Sequence, residues 1–283
     1  MKAYIDCYPC FFNQTIKTAR RITKDEKKIW EILNQVSKFI PQIPFGATPP
    51  EIGREIYRII SEQTGVEDPF QEIKKDCIQQ ALSLYPEMRK KRDSSRDPLM
   101  TAIRLSIAGN VIDFGTSRTF DLEKDVRQIL SQDFAVCDYD EFLRGLEKAS
   151  RILYIADNAG ETVFDRFLLE VLPVPITYVV RGQAIINDAT KEDARISGIE
   201  KEAFIVSSGC DAPGTIMNLC SEEFSEMFRS ADLIISKGQG NYEGLSEEPL
   251  PIFFLLKAKC GVIAEDLGVE KGSIVLKKSS QIN

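Results

Sequence analysis

Four short polar clusters in this 283-residue chain carry side chains able to hold a metal ion or a phosphate. Asp157-Asn158-Ala159-Gly160-Glu161 offers neighbouring carboxylate and amide oxygens beside a glycine, and Asn187-Asp188 offers a further carboxylate. Gly209-Cys210-Asp211 is the third, and Lys237-Gly238-Gln239-Gly240-Asn241 adds an ammonium and two glycines. Carboxylate and amide oxygens are the ligands a hard cation takes. A lysine with glycine-exposed backbone N–H groups is suited to phosphate oxygens. Taken singly, Asp157, Asn158 and Asp188 also read as helix-cap or turn residues. The Lys237 loop also reads as a Gly-rich turn, since it has neither Walker A spacing nor a full GxGxxG.

The chain contains no histidine. This excludes a Ser/His/Asp triad, a Cys/His pair and a His-ligated zinc site. What remains is oxygen-ligand chemistry, which favours ions such as Mg²⁺ or Mn²⁺.

Each polar cluster follows a short apolar run: RILYIAD, VPITYVVRG, AFIVSSG and ADLIISKG. Such runs alternating with helical segments predict a parallel sheet covered on both faces. In such sheets ligands bind at the carboxyl ends of the strands, where these clusters stand. PIFFLLKAKC reads as a strand or helix, and GVIAEDLG is expected to be a strand. Upstream, apolar residues recur at helical spacing from Asp25 to Tyr85, with a helix start at Thr48-Pro49-Pro50-Glu51. RKKRDSSRDP reads as a hinge, giving an N-terminal helical region over 1–95 and an α/β domain over 96–283 that carries the site.

Hydrophobic residues make up 43% and charged residues 28%, as in ordinary globular proteins. The net charge of −7 and the lack of a basic stripe argue against nucleic acid. No apolar run predicts a membrane span, and seven dispersed cysteines fit a reducing, cytoplasmic setting. The pair in Cys7-Tyr8-Pro9-Cys10 has no second CxxC to complete a metal knuckle. It is expected to serve packing or an occasional metal and, lying outside the strand-tip clusters, to be dispensable for chemistry.

DCYPCF near the start, IAGNVIDFG from Ile107, DNAGE from Asp157, RGQAIINDAT from Arg181, SSGCDAPGT from Ser207 and SKGQGNYEGL from Ser236 together resemble the metal-dependent damage-control phosphatases. The chain is most similar to their short prokaryotic subfamily. The resemblance implies a three-layer α/β/α sandwich with a mainly parallel sheet and a helical N-terminal region. It also implies hydrolysis of small phosphorylated metabolites with a divalent metal (Mg, Mn, Co or Ni). The family's metal-ligand pattern falls on Asp157, Asn158 and Asp188. Its phosphate-side pattern falls on Lys237, Gly238, Gly240 and Asn241, and Asn110 and Asp113 match a further polar motif of the site. For catalysis, Lys237 is expected to stabilise charge on the phosphoryl group, and either Asp188 or Asp157 to accept the proton of the attacking water. The GQGN loop differs from the Arg-bearing loop of the pantothenate-kinase-linked branch, so that branch's substrates are not implied. Two other readings are an S-adenosylmethionine-dependent carboxyl methyltransferase and a non-catalytic metal- or metabolite-binding protein.

Overall fold

A computed structural model describes residues 1–109 and 122–279. Three helices come first: α1 (Cys7–Ile22), α2 (Glu26–Phe39) and α3 (Pro49–Thr64). The expected start of α3 is present as a capping box. The Thr48 hydroxyl accepts from Glu51 N, while the Glu51 carboxylate accepts from Thr48 N at 2.7 Å. Ile52, Ile56 and Ile60, one turn apart, bury one face of α3 against Ile29, Ile32 and Val36 of α2 and Phe11 of α1. Each such side chain contributes about 1.5–3 kcal/mol on burial.

Next come α4 (Gln71–Asp93), α5 (Pro98–Gly109) and α6 (Leu122–Ser131). Of the expected hinge RKKRDSSRDP, only residues 94–97 form the connection to α5, and the first half, RKKRD, is the last turn of α4. Arg92 is buried there, donating to Phe167 O at 2.9 Å and to Glu170 at 2.8 Å. Ile78, Ala81, Tyr85 and Met88 of α4 join the core beneath the sheet, separate from the cluster of α1–α3. By packing, α4 therefore goes with the sheet rather than with the N-terminal helices.

The rest of the chain alternates: β1 (Phe134–Cys137), α7 (Tyr139–Lys148), β2 (Ile152–Ile155), α8 (Glu161–Leu169), β3 (Ile176–Val180), α9 (Lys191–Ile196), β4 (Phe204–Ser207), α10 (Glu222–Arg229), β5 (Leu233–Lys237), α11 (Gln239–Leu245), β6 (Ile252–Lys257), α12 (Gly261–Leu267) and β7 (Ile274–Lys278). Among the described residues the strands form one seven-stranded sheet of order β1-β7-β6-β5-β2-β3-β4, parallel except between β6 and β7. It is a mixed α/β sandwich. Ile152 and Tyr154 of β2 enter the core shared with α4, α5 and α8, while Leu153 and Ile155 enter the opposite core with α10, α11 and α12.

GVIAEDL is helix α12, not the expected strand; Ile263, Ala264 and Leu267 bury one helical face, and Gly268 ends it at φ 68°. Strand β7, which follows, pairs antiparallel with β6. Among the described residues no helix is long and apolar enough to cross a membrane.

Candidate functional site

The strand order changes direction at β2. From β2 the chain moves to β3 and β4 on one side, then returns to place β5 on the other. The carboxyl ends of β2 and β5 thus flank a topological switch point, where open α/β sheets form their ligand crevice. Asp157 and Asn158 follow β2 there, and Gly238 follows β5.

The loop carrying Asp188 is laced to this crevice by backbone bonds. Asn158 and Asp188 form an isolated antiparallel bridge, Ala159 N donates to Asn187 O, and Ala189 N donates to Asp157 O, both at 2.8 Å. Asp157, Asn158 and Asp188 are thereby brought together, and all three line one cleft of about 580 Å³. Ile186, two residues before Asp188, has φ 45°, a strained value for a β-branched side chain.

Asp188 is held from behind by Arg181. This buried guanidinium donates from Nε to Asp188 Oδ2 at 2.7 Å, from one terminal nitrogen to Thr215 Oγ1 at 2.9 Å, and from the other to Asn241 Oδ1 at 2.8 Å. This role for Arg181 is not among those expected from the sequence; its signal there is a cation directly after a buried strand and seven residues before an expected ligand. Burial, then the neighbouring Asp188 charge, raises the Asp157 carboxyl to about 6. Burial raises Asp188 to about 6, opposed by Arg181.

The phosphate-side residues are placed differently from expectation. Lys237 is fully buried and does not line the cleft; its ammonium donates to Asp165 Oδ1 at 2.7 Å, Ser106 O at 2.9 Å and Glu161 Oε2 at 3.1 Å. All three N–H bonds are thus spent, which leaves none for a phosphate in this arrangement. The Gly238 N–H donates to Leu255 O at 3.0 Å. Asn241 is also consumed: its oxygen accepts from Arg181 and Thr215, and its nitrogen donates to Ala156 O and Lys237 O. Of the four, Gly240 alone lines the cleft. Asn110 and Asp113 lie outside the described residues.

The cleft contains a different cation. Lys259, two residues past β6, lines it, and its charge draws the Asp157 carboxyl downward. Glu243 lines it too, raised to about 7 by burial. Neither was singled out from the sequence. The opposite wall comes from the N-terminal helices, including Cys7, Cys10 and Phe11 of α1 and Pro49, Pro50 and Gly53 of α3. The CYPC pair therefore belongs to the cleft, contrary to its expected place away from the site. Both thiols are free and raised by burial, which favours the neutral thiol over the nucleophilic or metal-binding thiolate.

Among the described residues no three Cys, Asp or Glu side chains form a group that could hold a metal. The candidate donor set is two carboxylates plus the Asn158 amide. Two buried carboxylates, of which Asp188 raises the proton affinity of Asp157, beside an amide, suit a hard divalent ion, which takes oxygen donors of both kinds.

Comparison with known proteins agrees with this architecture. The profile of the damage-control phosphatase ARMT1-like domain matches residues 3–275. A damage-control phosphatase of Pyrococcus horikoshii is 34% identical, with 99% of each chain covered. One of Archaeoglobus fulgidus is also 34% identical, with 96% of this chain and 97% of the other covered. The crystal structure of a DUF89 family protein from Pyrococcus horikoshii superposes with a TM-score of 0.91 at 35% identity, covering 99% of this chain and all of the other. The chain belongs to the damage-control phosphatase ARMT1-like family.

Proposed function

We propose that the protein is a metal-dependent phosphatase acting on small phosphorylated metabolites. The observation that carries this reading is the convergence of Asp157, Asn158 and Asp188 on the floor of a cleft that also contains Lys259. Family membership supports the phosphatase activity.

Asp157, Asn158 and Asp188 would hold a divalent ion of the Mg, Mn, Co or Ni type. When bound, the ion supplies Lewis-acid neutralisation of phosphoryl charge. Arg181 keeps the Asp188 carboxylate aimed by a 2.7 Å bond, so the donor does not have to be ordered on binding. Lys259 takes the part first expected of Lys237, offering a positive charge inside the cleft to the phosphoryl oxygens. The walls from α1 and α3 enclose a volume that suits a small metabolite rather than a polymer.

The test is turnover of p-nitrophenyl phosphate by protein stripped with EDTA, before and after addition of Mn²⁺. Hydrolysis that requires the added ion supports the reading. Metal-independent hydrolysis would remove the metal, and no hydrolysis of any phosphate ester would remove the phosphatase.

A further inference from the structure

Asparagine can bind a cation only through its oxygen, yet the oxygen and nitrogen ends of its amide have almost the same size and shape. Hydrogen bonding alone decides which end faces the ion. In this structure the Asn158 nitrogen donates to Glu161 Oε1 at 2.5 Å and to Asp157 Oδ2 at 3.0 Å, so both of its N–H bonds are engaged. The other oxygen of Glu161 accepts from Lys237 at 3.1 Å.

Lys237 is itself fixed from below. Asp165 Oδ1 accepts from Lys237 at 2.7 Å, from Tyr154 at 2.7 Å and from Ser106 at 3.0 Å, while Asp165 Oδ2 accepts from Tyr178 at 2.7 Å. Glu161, Asp165 and Lys237 are all fully buried. The result is a continuous path from the core to the amide: Asp165, Lys237, Glu161, Asn158. Burying three ionisable groups is costly. A hydrophobic set of the same shape would fill that space but remove one of the two acceptors that hold the amide nitrogen.

We infer that Lys237 and Glu161 are positioning residues, which turn the Asn158 amide so that its oxygen is presented to the divalent ion. The inference rests on the reading of Asp157, Asn158 and Asp188 as metal ligands. Neither Lys237 nor Glu161 lines the cleft. Lys237 holds one Glu161 oxygen, and the other Glu161 oxygen holds the amide nitrogen.

Mn²⁺ binding to EDTA-stripped protein, followed by the electron spin resonance of the free ion, tests this without reference to turnover. Glu161→Gln keeps the side-chain volume and the Lys237–Asp165 pair. It places an N–H₂ group against either Lys237 or the Asn158 nitrogen, so one neighbour loses its acceptor. The Mn²⁺ dissociation constant should rise by about 10- to 100-fold, the usual effect of losing such a support. Lys237→Met should do the same, and where it fails to fold Glu161→Gln suffices. In an Asn158→Ala background, Glu161→Gln should cause no further loss, because the group it orients is gone. A merely structural Glu161 would instead lower the melting temperature of both backgrounds alike and leave Mn²⁺ affinity unchanged. Wild-type Mn²⁺ affinity in Glu161→Gln, or full additivity with Asn158→Ala, would overturn the inference while leaving the metal site standing. No Mn²⁺ binding by the unaltered protein, matching Asp157→Ala, would overturn both.

Discussion

Gly238 lies against the Asp157 carboxylate across the switch point between β2 and β5, so closely that a Cβ at position 238 would overlap the carboxylate oxygen. Its φ of 78° is also one that L side chains rarely adopt. Gly238→Ala is expected to push Asp157 out of place and to cost about 1–3 kcal/mol of stability from overpacking and strain. Denaturant melts and an Mn²⁺ titration would both show it. Unchanged stability and affinity would mean that the two residues do not share that space.

Arg181 has three acceptors, Asp188, Thr215 and Asn241, and so ties two loops and helix α11 together. Arg181→Lys retains the charge but cannot make the fork of contacts. A loss of about 1–3 kcal/mol in unfolding free energy is expected from the unsatisfied buried acceptors, with weaker Mn²⁺ binding because Asp188 loses its support. Urea melts compared with the unaltered protein check the first expectation. A variant within 0.5 kcal/mol of the unaltered protein would contradict it.

Lys259 lines the cleft where Lys237 does not, and the proposed function gives it the phosphate role. Lys259→Met should lower kcat by roughly 100-fold, the usual size of a lost electrostatic stabiliser. Its Mn²⁺ affinity should hold or tighten, since a cation near Asp157 has been removed. Steady-state kinetics on p-nitrophenyl phosphate beside a metal titration decides this. Near-normal kcat would return Lys259 to the status of a cleft-wall residue.

The raised carboxyls of Asp157 and Asp188 set a sign for pH dependence in metal-free protein. Their folded values, about 6, lie above the unfolded carboxylate value of about 4. Between these the folded state binds more protons than the unfolded chain, so these two groups add stability as pH falls from 7 through 6 toward 4. Over the same interval protons compete with the metal, and Mn²⁺ affinity should fall. Asp157→Asn should flatten its share of the stability gain. Parallel melting-temperature profiles for the metal-free variant and unaltered protein from pH 7 to 4.5 would contradict it.

Much of the sheet was legible because parallel strands buried on both faces leave continuous apolar runs, as in ILYI and ITYVV, each ending in polar residues. GVIAEDL was misread because a short apolar run fits strand or helix equally well; the Gly268 stop was the discriminating signal. Asp157, Asn158 and Asp188 could be placed together because strand tips in such a fold converge. Lys237 could not be placed by residue type, since a lysine at a strand end reads the same whether it faces the cleft or the core. Strand alternation held the clue: Leu233 and Ile235 enter the α5 and α8 layer, so Lys237 points there too, toward Glu161 and Asp165 one turn apart on α8. Cys7 and Cys10 were misplaced because nothing local shows that the N-terminal helices fold back over the strand tips. Now that they line the cleft, Cys7→Ser with Cys10→Ser should change KM for bulky esters more than kcat.

The most direct measurement is phosphate release from p-nitrophenyl phosphate by EDTA-stripped protein titrated with Mn²⁺, run in parallel on unaltered protein and on Asp157→Ala. The expected result is hydrolysis that rises from background with Mn²⁺ and saturates in the unaltered protein, with Asp157→Ala folded yet inactive at every concentration. Saturating activity in Asp157→Ala, or full activity of the stripped protein without added metal, would contradict a metal-dependent phosphatase built on Asp157, Asn158 and Asp188.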